Sequence, residues 1–131
     1  MSGRARRLLL AVAGGVLLLL GVTGCADDNA HGPIEVPESA DAAAGKRVIQ
    51  SYGCGTCHRI PDVRGADGRV GPSLDGFGRQ LYIAGAVPNN YENLIAWLMN
   101  PDAIEPGTIM PNFGMPEQTA ADIAAYLATL R

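Results

Sequence analysis

The sequence predicts a mostly α fold. Three stretches carry apolar residues at three-and-four spacing, and none alternates cleanly enough to be a strand. The segments between them are long and rich in glycine and proline. At 131 residues the chain holds one domain. The first helix is predicted over about 40–52, "ADAAAGKRVIQSY", with Ser39 or Asp41 as its cap. Gly45, Val48, Ile49 and Tyr52 share one face of it. A glycine inside a helix costs about 1 kcal/mol relative to alanine, so Gly45 points to close packing against its backbone. Residues 59–88 read as a long ordered loop in which "RQLYIAG" forms a helical turn or a short strand. The second helix is predicted over 91–99, "YENLIAWLM", between an Asn90 cap and Pro101. Residues 101–115 read as another loop. The last helix is predicted over 117–130, with Pro116 at its start and Glu117 at the positive end of its dipole. Ala120, Ile123, Ala124 and Leu127 form its apolar stripe.

Residues 1–24 read as an export signal. Arg4, Arg6 and Arg7 precede an apolar run over 8–22, and small residues lead to Cys25 in "VTGC". The run is 15 residues long, whereas a membrane-spanning helix needs about 20. "VTGC" resembles the lipobox of bacterial lipoproteins, in which the cysteine receives a diacylglycerol; here that residue is Cys25. The alternative is a retained N-terminal anchor. Either version ties the protein to a membrane, and two or three acyl chains hold firmly. Residues 25–39, acidic and proline-containing, read as a flexible linker. His31 lies in it as a solvated side chain.

Three of the ten basic residues leave with the signal, so seven remain against 13 acidic ones. That acidity argues against a nucleic-acid partner. The basic residues concentrate between 45 and 79, an asymmetry able to orient a docking partner.

With two Phe and one Trp, the core is thin for a chain with such long loops. A small domain of this kind needs a staple or a large buried group. The stretch "YGCGTCHRIP", 52–61, offers three explanations. A redox dithiol would sit in a βαβ context, and no such strands are evident. A structural zinc needs four ligands, and beyond Cys54, Cys57 and His58 only the remote His31 remains. "CGTCH" is also the attachment signature of a c-type haem. Each thiol adds across one vinyl group, two intervening residues let both reach one porphyrin edge, and the adjacent histidine ligates iron. Lipidation of Cys25 would leave Cys54 and Cys57 as a pair with no thiol over.

Over residues 40–131 the chain resembles the class I c-type cytochromes, small monohaem electron carriers. The resemblance rests on "GCGTCH", on "GPSLDG" at 71–76, and on "TIMPNFG" followed by a helix with "DIAAYL". It implies an all-α cytochrome c fold, three to five short helices and long loops wrapped around one covalently bound haem c. It implies that Cys54 and Cys57 hold the haem and that His58 is the proximal iron ligand. It also implies that the Pro72 carbonyl fixes His58 from outside the coordination shell, and that Gly45 and Tyr126 meet where the first and last helices cross.

Among the methionines, Met110 matches the family's "MPN" position and is the expected sixth ligand; Met115, also before a proline, is the alternative. Met99, beside Leu98 in a helix, reads as core. Arg79, Tyr82 and Trp97 are candidates for contacts with the haem propionates, where a cation or an indole N–H would offset buried negative charge. The resemblance implies a membrane-tethered carrier of single electrons at the bacterial cell envelope. Its haem domain would lie on the extracytoplasmic side, between redox proteins such as a quinol-oxidising complex and a terminal oxidase. No enzyme activity and no small-molecule substrate are expected. The alternatives are a haem domain with a displaceable distal ligand, acting as a sensor or peroxidase-like enzyme, or the cytochrome subunit of a larger dehydrogenase or oxidase.

Overall fold

The structure, a computed structural model, describes residues 34–131. The signal over 1–24, Cys25 and His31 lie outside the described residues. Among the described residues, four helices carry the fold: α1, Ala42–Ser51; α2, Tyr91–Met99; α3, Pro101–Ile104; and α4, Glu117–Thr129. Single 3₁₀ turns at Cys54–Thr56 and Phe77–Arg79, and a hairpin of β1, Tyr82–Ile83, with β2, Val87–Pro88, complete it. Among the described residues, no helix is long and apolar enough to cross a membrane.

Asp41 caps α1. Its carboxylate accepts hydrogen bonds from the N–H groups of Ala43 at 2.8 Å and Ala44 at 3.0 Å. The Ala44 bond is the main reason its carboxyl lies below the usual range. The Asp41 N–H donates to Asp122 of α4 at 3.0 Å, so the cap also joins two helices. Gly45 then lies directly on the α4 backbone, where a Cβ would fall on the Asp122 carbonyl. This contact accounts for the costly glycine. Alanines 120, 121, 124, 125 and 128 of α4 are buried, and their small side chains permit helices to approach closely. Tyr126 lies one turn beyond the Gly45 contact. Its hydroxyl donates to the Pro61 carbonyl at 2.7 Å, and Lys46 sits 5.8 Å from its ring centre. Ile34 packs into the core at 8% exposed, so the strap before α1 is held against the domain at that point.

α2 matches its predicted span. Asn90 caps it by accepting from the Asn93 N–H at 2.8 Å. The segment after it differs from the predicted loop. Pro101 starts the one-turn helix α3, and Asp102 accepts from the Gly107 N–H at 2.9 Å. A single turn shows no periodicity from which to read it. β1 falls within "RQLYIAG", where a helical turn or a short strand is predicted, but its pairing with β2 is not anticipated by the sequence. The hairpin turns through Ala84 and Gly85, both at positive φ, and each strand is too short to display alternation. Asn89 pins the hairpin by donating to the Phe77 and Gln80 carbonyls, both at 3.0 Å.

Gly45→Ala is expected to destabilise the protein by about 3 kcal/mol, since the added methyl meets a backbone carbonyl rather than a side chain able to move. Denaturant unfolding of the haem-loaded protein measures it. Asp41 should contribute to stability above its unfolded value of about 3.8 and lose that contribution as the pH falls through its lowered folded value. Asp41→Asn should therefore flatten the acid limb of the stability profile, read from unfolding curves below about pH 4.

Candidate functional site

A cavity of about 290 Å³ lies between α2, the end of α4 and the long loops. Phe77, Ile83, Leu94, Leu98 and Leu127 supply much of its apolar wall. One side is built from the segment that follows α1. The chain leaves that helix through Gly53 at φ +70°, makes the 3₁₀ turn Cys54–Thr56, and closes with the Cys57 and His58 N–H groups on the Cys54 carbonyl at 3.2 and 3.0 Å. This short turn brings Cys54, Cys57 and His58 together on the cavity wall.

The glycine-rich loop after the motif lies flat against it. The Gly68 N–H donates to the Gly55 carbonyl at 3.0 Å, and the Gly71 N–H to the Cys57 carbonyl at 2.9 Å. A Cβ at Gly68 would run into the Thr56–Cys57 backbone, and one at Gly71 would run into the His58 ring. His58 Nδ1 lies 2.7 Å from the Pro72 carbonyl oxygen. A carbonyl only accepts, so Nδ1 carries the proton and the lone pair of the neutral ring is left on Nε2. The imidazole thus has a fixed tautomer and a fixed plane.

Met110 lines the cavity from a different part of the chain. Met115 is 4% exposed within the core, and Met99 packs on the core's edge; neither lines the cavity. Of the three candidate propionate contacts, Trp97 is in the wall. Arg79 and Tyr82 are exposed and outside it. The alternation of β1 explains Tyr82: its neighbour Ile83 faces the cavity, which turns Tyr82 outward. Arg79 ends the 3₁₀ turn that buries Phe77, and Gln80 after it takes the place in the wall. Sequence reasoning passed over Gln80 and Thr108, which also line the cavity: Gln80 stands in no motif, and Thr108 opens "TIMPNFG" but has no metal-ligating or charged group to single it out.

These residues suit a large, flat apolar group better than a redox dithiol or zinc. Burial pushes the Cys54 thiol up, opposite to the lowered value that activates a redox cysteine. Among the described residues, no group of three His, Cys, Asp or Glu side chains is placed to hold a metal ion. An apolar pocket of this size, with Cys54, Cys57 and His58 together on its wall, is shaped to receive a large group.

Fold and cavity define an α-helical domain that carries a prosthetic group on a Cys-X-X-Cys-His turn. The family model for Cytochrome c matches residues 42–131, and the chain belongs to that family. Its cofactor is therefore haem c, covalently bound, with iron. The chain is 35% identical over 98 residues to cytochrome c oxidase subunit 2 of Alkalihalophilus pseudofirmus, covering 75% of this chain and 27% of that protein. It is 37% identical over 75 residues to the subunit of the same name in Bacillus subtilis, covering 56% and 21%. It is 34% identical over 101 residues to cytochrome c-type cyt cy of Rhodobacter capsulatus, covering 70% and 50%. The chain thus spans half or less of the length of these relatives. The kinship supports electron transfer as the class of function.

Gly71→Ala should displace the His58 ring. The haem-loaded variant should melt about 5–15 °C below the parent, followed at the haem absorbance.

Proposed function

We propose that the protein is a membrane-tethered carrier of single electrons, and that its iron is held by His58 on one face and Met110 on the other. The observation that carries this reading is that both side chains line one cavity, from segments some fifty residues apart in the chain. Cys54 and Cys57 form the two thioethers. His58 presents Nε2 to the iron because Nδ1 is engaged by the Pro72 carbonyl. Met110 supplies a neutral thioether, which favours a higher reduction potential than a second histidine would give. The apolar wall of Phe77, Ile83, Leu94, Leu98 and Leu127 would keep water from the buried part of the bound haem. The bound haem supplies the redox chemistry, one electron at a time between ferric and ferrous iron. With His58 and Met110 both placed to hold the iron, the chain would leave no open position for a substrate, and the protein would act as a carrier rather than an enzyme.

Val70 and Ile109 line the cavity yet are 65% and 78% exposed, as is Phe113 in part. This apolar rim is the place for a redox partner to approach the cofactor. The names of the oxidase subunits support a terminal oxidase as electron acceptor, with a quinol-oxidising complex as donor. Their greater length favours a second reading, in which the chain works as a cytochrome module beside such an oxidase. In either setting a lipid on Cys25 holds the domain at the extracytoplasmic face of a bacterial membrane, on the acidic linker.

Met110→Ala is expected to abolish the far-red thioether-to-iron absorption band and to admit carbon monoxide to the ferrous protein. Met115→Ala should keep the band. Loss of the band in Met115→Ala alone would move the ligand there, and ready carbon monoxide binding by the unaltered protein would replace the carrier with a ligand sensor. Cys25→Ser should shift the protein from the membrane fraction to the soluble envelope fraction, with its spectrum unchanged.

A further inference from the structure

The segment that carries Met110 is held differently from the segment that carries His58. Among the described residues, the backbone of 109–115 makes no hydrogen bond to other backbone groups. Its polar contacts are local: the Met110 N–H to Thr108 Oγ1 at 3.3 Å, and the Gly114 N–H to Asn112 Oδ1 at 2.8 Å. Buried Met115 fixes its far end. Between these points one side chain reaches back across the cavity mouth. The Phe113 ring meets the Tyr52 ring edge to face, with centres 6.0 Å apart and planes at 86°. That geometry is the favoured one for an aromatic pair.

Tyr52 is no ordinary surface residue. Its N–H still bonds to the Val48 carbonyl at 2.9 Å, which makes it the last residue of the rigid α1 frame. It also stands two residues before Cys54. Phe113 stands three residues after Met110 and lines the cavity at 38% exposed. The pair therefore joins the loop of the proposed sixth ligand to the segment that bears the thioethers.

We propose that Tyr52 and Phe113 form a latch that keeps the Met110 loop closed over the haem, with both acting as positioning residues. The proposal rests on Met110 being the sixth ligand. Removing either ring should raise the open population of the loop roughly 3- to 10-fold. An external ligand that competes with the thioether reads that population directly, because its apparent affinity scales with the fraction of sites open to it.

The test is imidazole titration of the ferric haem-loaded protein, followed by loss of the far-red band. Phe113→Ala and Tyr52→Ala should each bind imidazole about 3- to 10-fold more tightly than the parent. The double variant should gain little over the stronger single, as expected of two residues in one contact. Tyr52→Phe keeps the ring and should match the parent. Phe113→Leu keeps an apolar side chain without the edge-to-face geometry and should fall between, which guards against a truncation that merely unfolds the loop. Unchanged affinity in Phe113→Ala, or fully additive gains in the double variant, would overturn the latch. Met110→Ala separates the two levels. If it loses the band while Phe113→Ala binds as the parent does, the latch alone is wrong; if it keeps the band, the ligand assignment fails and the latch falls with it.

Discussion

The approach of Gly45 to the Asp122 carbonyl is the contact on which the other elements depend. It sets the distance between α1 and α4, the two helices that begin and end the domain. Because the attachment turn leaves directly from the end of α1, that distance also fixes where Cys54, Cys57 and His58 enter the cavity. α4 in turn receives the rest of the chain. Gly78 of the second 3₁₀ turn donates to the Leu130 carbonyl at 2.8 Å, and the Tyr91 hydroxyl of α2 donates to the Ala121 carbonyl at 3.3 Å. A side chain at position 45 would move α4 outward and carry both attachments with it.

Close approach of backbone recurs at the site. Gly55, Gly68 and Gly71 do not adopt positive φ, so they are not glycines for the sake of a turn. Each is glycine because another chain segment occupies the space a Cβ would take: Ala66 for Gly55, the Thr56–Cys57 backbone for Gly68, and the His58 ring for Gly71. The loop that looks merely irregular in sequence is a second layer laid on the motif, with its own hydrogen bonds to the Gly55 and Cys57 carbonyls. By contrast, the Arg59–Asp75 ion pair across this region, at 3.0 Å, is well exposed on both sides and contributes little, roughly 0–1 kcal/mol. Packing, not charge, holds the proximal side.

How much of this was legible follows from what each feature needs in order to show. The attachment turn was legible because thioether chemistry fixes the spacing of Cys54, Cys57 and His58 in the chain itself. α2 was legible to the residue because Asn90 and Pro101 bracket it. Gly45 announced a close contact, although not that its partner is the Asp122 carbonyl, since contact identity lies in the crossing and not in either helix. α3 and the second strand of the hairpin were hidden by length, and the first could not be told from a helical turn: four residues and two residues hold no period. The outward direction of Tyr82 was hidden for the same reason, because the inward face of a two-residue strand cannot be read from its own sequence. The glycines of the loop were hidden because glycine signals a turn as readily as a close approach. The pairing of Tyr52 with Phe113, sixty-one positions apart, has no local signature of any kind.

With His58 and Met110 proposed as the axial pair, the two faces of the haem differ in how they are held. On the histidine side the main restraints are backbone or covalent: the 3₁₀ turn, two loop hydrogen bonds, the Pro72 carbonyl, and glycines with no side chain to shift. On the methionine side the restraints are side chains on a loop without ladder hydrogen bonds. Backbone restraints fail together, because loosening one moves the whole frame. Side-chain restraints fail one at a time, each by a factor of a few. Substitution can therefore adjust the methionine side in small steps while the covalent half of the site stays intact. For an electron carrier this is a useful division. Potential and ligand exclusion depend on the sixth ligand, whereas retention of the cofactor depends on the motif and the glycine loop behind it. The two readings of this site, closed carrier or open ligand-binding pocket, would then be separated by the hold on one loop rather than by a different fold.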